Sequence, residues 1–437
     1  MSSLNVRVRQ APVFNAAGIP VKHISVEAQL TRMTLAHMLW ENQFYVDGQS
    51  SADAIKNLVA QAKPDFVAAL AAQARDKFKL RHVPLLLVRE LARKKALTSD
   101  ALDAVIQRPD EMAEFLSIYW KEGKTPLANQ VKLGLAKAFG KFNEYSLAKW
   151  DKNSSAISMR DVMFLTHPKP ANAEQEALFK RVANKELATP KTWETELSAG
   201  ADKAATFVTL MAEKQLGALA FLRNLRNMTD AGIPSTLIRE YAKTVNVDKV
   251  LPFRFIAAAR IVPQFEDMLE EMMFRSLAKH EKLPGKTVLL VDISGSMFGT
   301  KVSAKSDLDR FDAAAALAVL CREICEEVEI YSFSDSCVRV APRRGFALIE
   351  AIRKSQRVSG TDTPNAVRHI NRETTFNRVI LFTDEQSTQA GSMKVNCDNA
   401  YILNVASYEN GVNHSQWTTI TGFSEAVIDY IQMAENT

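Results

Sequence analysis

Cysteine is scarce in this 437-residue chain: there are four, and none are spaced as Cys-x-x-Cys. A structural zinc site or a disulfide framework is therefore not expected. Cys321 and Cys325 stand one helical turn apart within an apolar pattern and read as small core residues, and Cys337 and Cys397 complete the set. Histidine is nearly as rare, with seven residues and no pairing pattern. His280-Glu281 is not followed by a second histidine at metalloprotease spacing, and no G-x-S-x-G elbow occurs. Gly123-Lys124-Thr125 and Gly285-Lys286-Thr287 suggest phosphate loops, but Ile118 and His280 stand where the earlier glycine belongs. The chain reads as a non-enzyme. No run approaches the roughly 18 apolar residues of a membrane helix, and the first residues lack an apolar signal core. The expectation is a cytoplasmic protein with no membrane partner.

The length points to two domains, and the charge is divided between them. Of 55 basic and 50 acidic residues, 15 and 19 lie from Lys286 onward, leaving 40 and 31 before it. The first part is thus about +9 and the second about −4. A basic N-terminal domain favours a polyanionic partner, although solvated helix faces also account for such charge.

Up to about Ile24 the chain is broken by Pro12, Gly18 and Pro20. From Ser25 to His280 it is a succession of amphipathic helical patterns of about 10 to 15 residues divided by polar or Pro/Gly breaks. Such a run predicts either a stacked helix-pair solenoid, irregular because no crisp repeat period is present, or a long bundle. After Pro284-Gly285 the pattern changes. Strands are expected at Thr287–Val291, Val328–Ser332, Val338–Ala341, Val379–Phe382 and Tyr401–Val405. Helices are expected at Leu308–Glu326, Phe346–Lys354, Pro364–Asn371 and Ser424–Met433. Alternation of this kind predicts a doubly wound α/β domain with a mostly parallel sheet. The expected domains are 1–285, all-α, and 286–437, α/β.

The stretch Lys286 to Ser296 is a short apolar, β-branched run that empties into Asp292-Ile-Ser294-Gly-Ser296. Two later loops add Thr361 beside Gly360, and Asp384. Functional groups of such folds gather beyond the carboxyl ends of the strands. Two carboxylates and three hydroxyls there, with water, make a hard-oxygen shell suited to magnesium, with manganese or calcium possible. The other reading is a hydrogen-bonded strand-end loop without metal. The three elements closely resemble the metal-ion-dependent adhesion site (MIDAS) of the von Willebrand factor A family. Asp292, Ser294 and Ser296 match its DxSxS element, Thr361 its threonine and Asp384 its TD element. The resemblance implies a metal whose open position accepts an acidic partner side chain.

In the helical part, basic residues and aromatics interleave at Tyr145–Lys152, at Met159–Pro170 and at Leu216–Asp230. Lysine, arginine and stackable rings are the parts that hold single-stranded nucleic acid. Met159-Arg160-Asp161 through Thr166-His167-Pro168-Lys169-Pro170, and the LRN-x-x-x-MT core Leu222, Arg223, Asn224, Met228, Thr229, resemble the TROVE-domain (Ro autoantigen) family and its bacterial relatives. That family also places a von Willebrand A domain directly after its helices. The resemblance implies a HEAT-like helical-repeat ring. It also implies binding of misfolded noncoding RNA by its single-stranded 3′ end in a basic hole, and of Y-like RNAs outside. Ribonucleoprotein work in noncoding RNA quality control or storage follows, with a 3′-exoribonuclease as a possible partner and a monomeric ring. Carried over by position, the RNA-facing candidates are Lys149, Lys152, Arg160, His167, Lys169, Arg223 and Arg226. An arginine of the family pattern is missing or moved around Asp151 to Ser155. His167 also reads as a capping or buried histidine, and the Arg223–Thr229 stretch as helix packing. The alternative function is a metal-dependent protein-interaction scaffold that grips an acidic partner through the A domain and has no RNA role.

Overall fold

The computed structural model describes residues 13–14, 20–21, 25–36, 48–151, 156–248, 250, 252–278, 280–301, 308–384, 393–405, 416–421 and 426–435. A two-residue antiparallel pair, β1 (Val13–Phe14) with β2 (Pro20–Val21), lies in the stretch expected to be irregular. One compact unit is built from Gln29–Leu35 and Gln49–Lys279, and the other around His280–Thr437.

The first unit is helical among its described residues. Its helices are α1 (Val26–Ala36), α2 (Gly48–Gln61), α3 (Pro64–Asp76), α4 (His82–Arg93), α5 (Ser99–Val105), α6 (Pro109–Tyr119), α7 (Asn129–Phe139) and α8 (Glu144–Trp150). They continue as α9 (Met159–Thr166), α10 (Ala173–Asn184), α11 (Trp193–Ser198), α12 (Lys203–Ala212), α13 (Ala218–Asp230), α14 (Ser235–Thr244), α15 (Phe253–Ile261) and α16 (Glu266–Leu277). Local chemistry sets many of their starts. Pro64 and Pro109 occupy first turns, Thr98 accepts from the Ala101 amide, and Ser158 and Asp161 cap α9 reciprocally. Helices pack on their neighbours and on the next but one, as α3 on α5, α4 on α6, α5 on α7, α13 on α15 and α14 on α16. This is the stacking of a helical repeat. Phe115, Phe139, Phe207, Phe221 and Phe255 are fully buried between the layers. Arg75, itself buried, ion-pairs with the fully buried Glu111 at 2.5 Å and so ties α3 to α6.

Two helices depart from the sequence reading. α8 buries only Leu147, so its seven residues carry no apolar stripe. α15 buries Phe253, Phe255, Ile256, Ala258 and Ala259, which leaves no single apolar face to recognise. The helix expected at Val262–His280 is a 3-10 turn at Pro263–Phe265 followed by α16. The proline opens that turn.

The second unit carries a six-stranded mixed sheet in the order β5-β4-β3-β6-β7-β8. The strands are β3 (Leu283–Asp292), β4 (Cys325–Phe333), β5 (Cys337–Arg339), β6 (Arg378–Thr383), β7 (Asn399–Asn404) and β8 (Trp417–Thr421). All neighbours run parallel except the edge strand β5. Val288, Leu289, Leu290 and Val291 are completely buried, as a central strand covered on both faces requires. The covering helices are α17 (Arg310–Ile324), α18 (Gly345–Arg353), α19 (Thr363–Glu373) and α20 (Ala426–Glu435). β8 was not expected from the sequence. Its Trp-Thr-Thr-Ile-Thr run is short and more hydroxylic than apolar.

From β3 the chain passes to β4 on one side and later returns to β6 on the other. The order therefore reverses between β3 and β6, and folds of this kind place their functional groups beyond the carboxyl ends of the strands at such a point. Among the described residues, no helix is long and apolar enough to cross a membrane.

Candidate functional site

Asp292 ends β3, and Asp384 follows the last residue of β6, so sheet order alone brings two aspartates that are distant in sequence to one edge. Both side chains are fully buried, as is Ser294. Asp292 Oδ1 accepts the Ser294 amide at 2.8 Å, and its Oδ2 accepts the Thr383 hydroxyl at 2.6 Å. Ser294 Oγ lies 3.2 Å from Ser296 Oγ. The Thr361 loop is drawn in by backbone bonds, from Gly295 N–H to Ser359 O at 3.1 Å and from Asp362 N–H to Ser334 O at 2.8 Å. Gly360 lies close under Asp335: its amide donates to Asp335 Oδ2 at 3.1 Å, and a Cβ there would displace that carboxylate, standing 2.5 Å from Oδ1. Thr361 is buried. The fold thus gathers Asp292, Ser294, Ser296, Thr361 and Asp384 at one end of the sheet.

Burial pushes the Asp292 carboxyl up to about 6, against the hydrogen bonds from Thr383 and Ser294, and the nearby Asp384 charge adds to the rise. Two buried carboxylates side by side are unfavourable unless positive charge or hydrogen bonds offset them. The donor set is all hard oxygen, with hydroxyls beside the carboxylates, which fits magnesium, manganese or calcium rather than a softer metal. No group of three or more His, Cys, Asp or Glu suited to a metal occurs among the described residues.

Sequence reasoning missed a further member of the cluster. Arg310, the first residue of α17, donates from Nη1 to Asp384 Oδ2 at 2.9 Å and lies 3.4 Å from the Ser296 carbonyl. One signal was available: a cation in the first turn opposes the helix dipole, so its placement there asks for another reason.

In the helical unit the candidates lie in separate places. Lys149 is exposed in the last turn of α8, with Nζ 5.6 Å from the Tyr145 ring and 6.0 Å from that of Trp150. The Arg108 guanidinium stacks on Trp150 at 3.7 Å. Lys152 lies outside the described residues. The end of α8 is tied to the start of α9 by the Met159 amide, which donates to Asp151 Oδ1 at 2.9 Å. Arg160 donates to the Ala183 carbonyl at 2.7 Å, and its guanidinium sits 4.8 Å from the ring of Phe164. Tyr145 and Phe164 are 47% and 48% exposed, unusual for large rings.

His167 is exposed and ends α9 in the left-handed conformation, with φ 51° and its amide donating to Met163 O. Its backbone therefore serves as a cap while its ring stays in solvent, and Lys169 beyond it is also exposed. On α13, Leu222, Asn224, Leu225 and Met228 are buried, whereas Arg223 and Arg226 point to solvent together with Leu219. The LRN-x-x-x-MT stretch thus packs helices with one face and presents its arginines on the other.

Residues 183–310 match the TROVE domain family model. The match begins in α10 and extends through the change from helices to sheet, as far as Arg310. The fold is also that of a solved structure, the crystal structure of the Deinococcus radiodurans RO (RSR) protein. The TM-score is 0.66 at 19% identity, over 93% of this chain and 98% of that one.

Proposed function

From a chain that carries TROVE sequence and takes the RO fold over nearly its full length, we infer an RNA-binding protein that acts by holding its ligand rather than by catalysis. The observation that supports this best is the pair of exposed rings on α8 and α9, Tyr145 beside Lys149 and Phe164 beside Arg160. Rings left in water beside cations suit bases that stack while lysine and arginine neutralise phosphates. His167, Lys169, Arg223 and Arg226 add exposed polar and cationic positions on the same unit. The ligands proposed are noncoding RNAs: misfolded or structured RNA offering a single-stranded 3′ end, and Y-like RNA. The setting proposed is noncoding RNA quality control or storage in the cytoplasm, by a monomeric ring that works with a ribonucleoprotein or 3′-exoribonuclease partner.

The test is the double substitution Lys149→Ala with Lys152→Ala. It should weaken binding of a 3′-tailed RNA and flatten the plot of log affinity against log salt by about 1.4, at roughly 0.7 for each phosphate that is no longer neutralised. Unchanged affinity and slope would remove these lysines from the interface.

The oxygen cluster supports a second role, a metal-dependent contact with an acidic protein partner. Asp292, Ser294, Ser296, Thr361 and Asp384 would hold a divalent cation, most suitably magnesium. When bound, that cation would offer a coordination position to a partner carboxylate. If this were the sole function, EDTA would abolish partner capture while competitor RNA left it intact. Purified protein would then show no excess 260 nm absorbance before a high-salt wash.

A further inference from the structure

We propose that Arg310 is the resident cation of the strand-end cluster, and that a divalent metal binds there only by drawing Asp384 away from this guanidinium. The inference rests on reading Asp292, Ser294, Ser296, Thr361 and Asp384 as the metal-holding set. Asp384 is fully buried and accepts Nη1 of Arg310, whose own side chain is only 10% exposed. The same nitrogen faces the carbonyl of Ser296, a residue of the metal-holding set itself. Arg310 therefore already holds one oxygen of a carboxylate that a metal on these ligands would share. Two cations sharing one buried carboxylate repel strongly where little water screens them.

The placement is built by the chain around it. The Arg310 amide donates to Thr300 O at 3.1 Å, and the backbones of Lys301 and Asp309 pair as an isolated antiparallel bridge. Asp309 caps α17 through the Asp312 amide at 2.8 Å and accepts the Gly299 amide at 3.2 Å. Phe298, just after the serine loop, stacks on Phe311 with ring centroids 4.8 Å apart. The serine loop and the start of α17 are thus held together, and this placement brings the Arg310 guanidinium onto Asp384. The first turn of a helix favours acidic residues, so an arginine at this one is explained by its partner rather than by the helix. Arg310 would set the threshold concentration at which metal enters, and with it any metal-dependent contact.

Manganese binding to the full chain, followed by isothermal titration and by the free-ion EPR signal, tests this. Arg310→Gln should bind Mn2+ at least tenfold more tightly than wild type, and adding Ser294→Ala should abolish that gain. Equal or weaker binding by Arg310→Gln, with wild type binding measurably, would overturn the inference while leaving the metal reading intact. If neither protein binds Mn2+, the metal reading fails and the inference with it. A readout on wild type covers a variant that does not fold. In 15N-arginine-labelled protein, with the resonance assigned through Arg310→Lys, Mg2+ should shift the Arg310 guanidinium signal and speed its hydrogen exchange. A signal unmoved at saturating Mg2+ would also overturn the proposal.

Discussion

Thr383 Oγ1 donates to Asp292 Oδ2 at 2.6 Å, joining the last residue of β6 to the last residue of β3 across the point where strand order reverses. Both residues are buried, so this hydroxyl is a main reason the Asp292 carboxylate is tolerated there. Thr383→Val keeps the shape and removes the donor. We expect it to cost about 2 kcal/mol, the range for a hydrogen bond to a charged group, measured as a fall in the urea midpoint. Thr383→Ser should recover most of the loss. A valine variant as stable as wild type would show that other groups satisfy Asp292.

At the opposite end of the same strand, Arg378 is 1% exposed. It donates to Thr287 Oγ1 at 2.9 Å and ion-pairs with Glu435 of α20, which also accepts the Tyr401 hydroxyl at 3.1 Å. Arg378→Ala strands a largely buried carboxylate and should destabilise by about 3–5 kcal/mol. A loss below about 1 kcal/mol in chemical denaturation would contradict this.

The four thiols should be inert in the folded protein. Burial pushes Cys397 up to about 11 and Cys337 up to about 12, and raises Cys321 and Cys325 as well. The thiolate is the reactive form, so near pH 8 raised values mean suppressed alkylation, by about 100-fold or more relative to a free cysteine for Cys337 and Cys397. Timed iodoacetamide labelling read by mass spectrometry should find slow modification in the folded chain and four sites after unfolding. One thiol that reacts at the free rate would mark a local opening.

Tyr145→Ala and Phe164→Ala should each weaken single-stranded RNA by about 1–3 kcal/mol if each ring stacks one base. Because neither ring neutralises a phosphate, the salt slope should stay as in wild type. Filter binding at three salt concentrations separates this pattern from that of the lysine variants. A flattened slope, or an unchanged affinity, would reassign the rings.

Much of the second unit was legible because the signals are local. Val288 to Val291 is apolar at every position, as a strand buried on both faces must be, and the alternation with helices implied a doubly wound sheet. β8 escaped because its Trp-Thr-Thr-Ile-Thr run is more hydroxylic than apolar, α8 because it buries only Leu147, and α15 because it is buried on too many sides to be periodic. The oxygen-bearing residues were also visible, since Asp292-x-Ser294-x-Ser296 is a local spacing. Arg310 was not. It sits among helix-forming residues, and its partner Asp384 comes 74 residues later.

Residue type and periodicity, which depend only on near neighbours along the chain, determined the change from helices to sheet and the chemistry of the strand-end loop. The basic excess of the first part is likewise a property of composition. Tertiary structure alone decided which charges meet and which rings face water. Whether Asp384 binds a guanidinium or Tyr145 stays exposed depends on how distant segments pack. Sequence constrains that only through the whole fold, because burial and pairing are relations between surfaces.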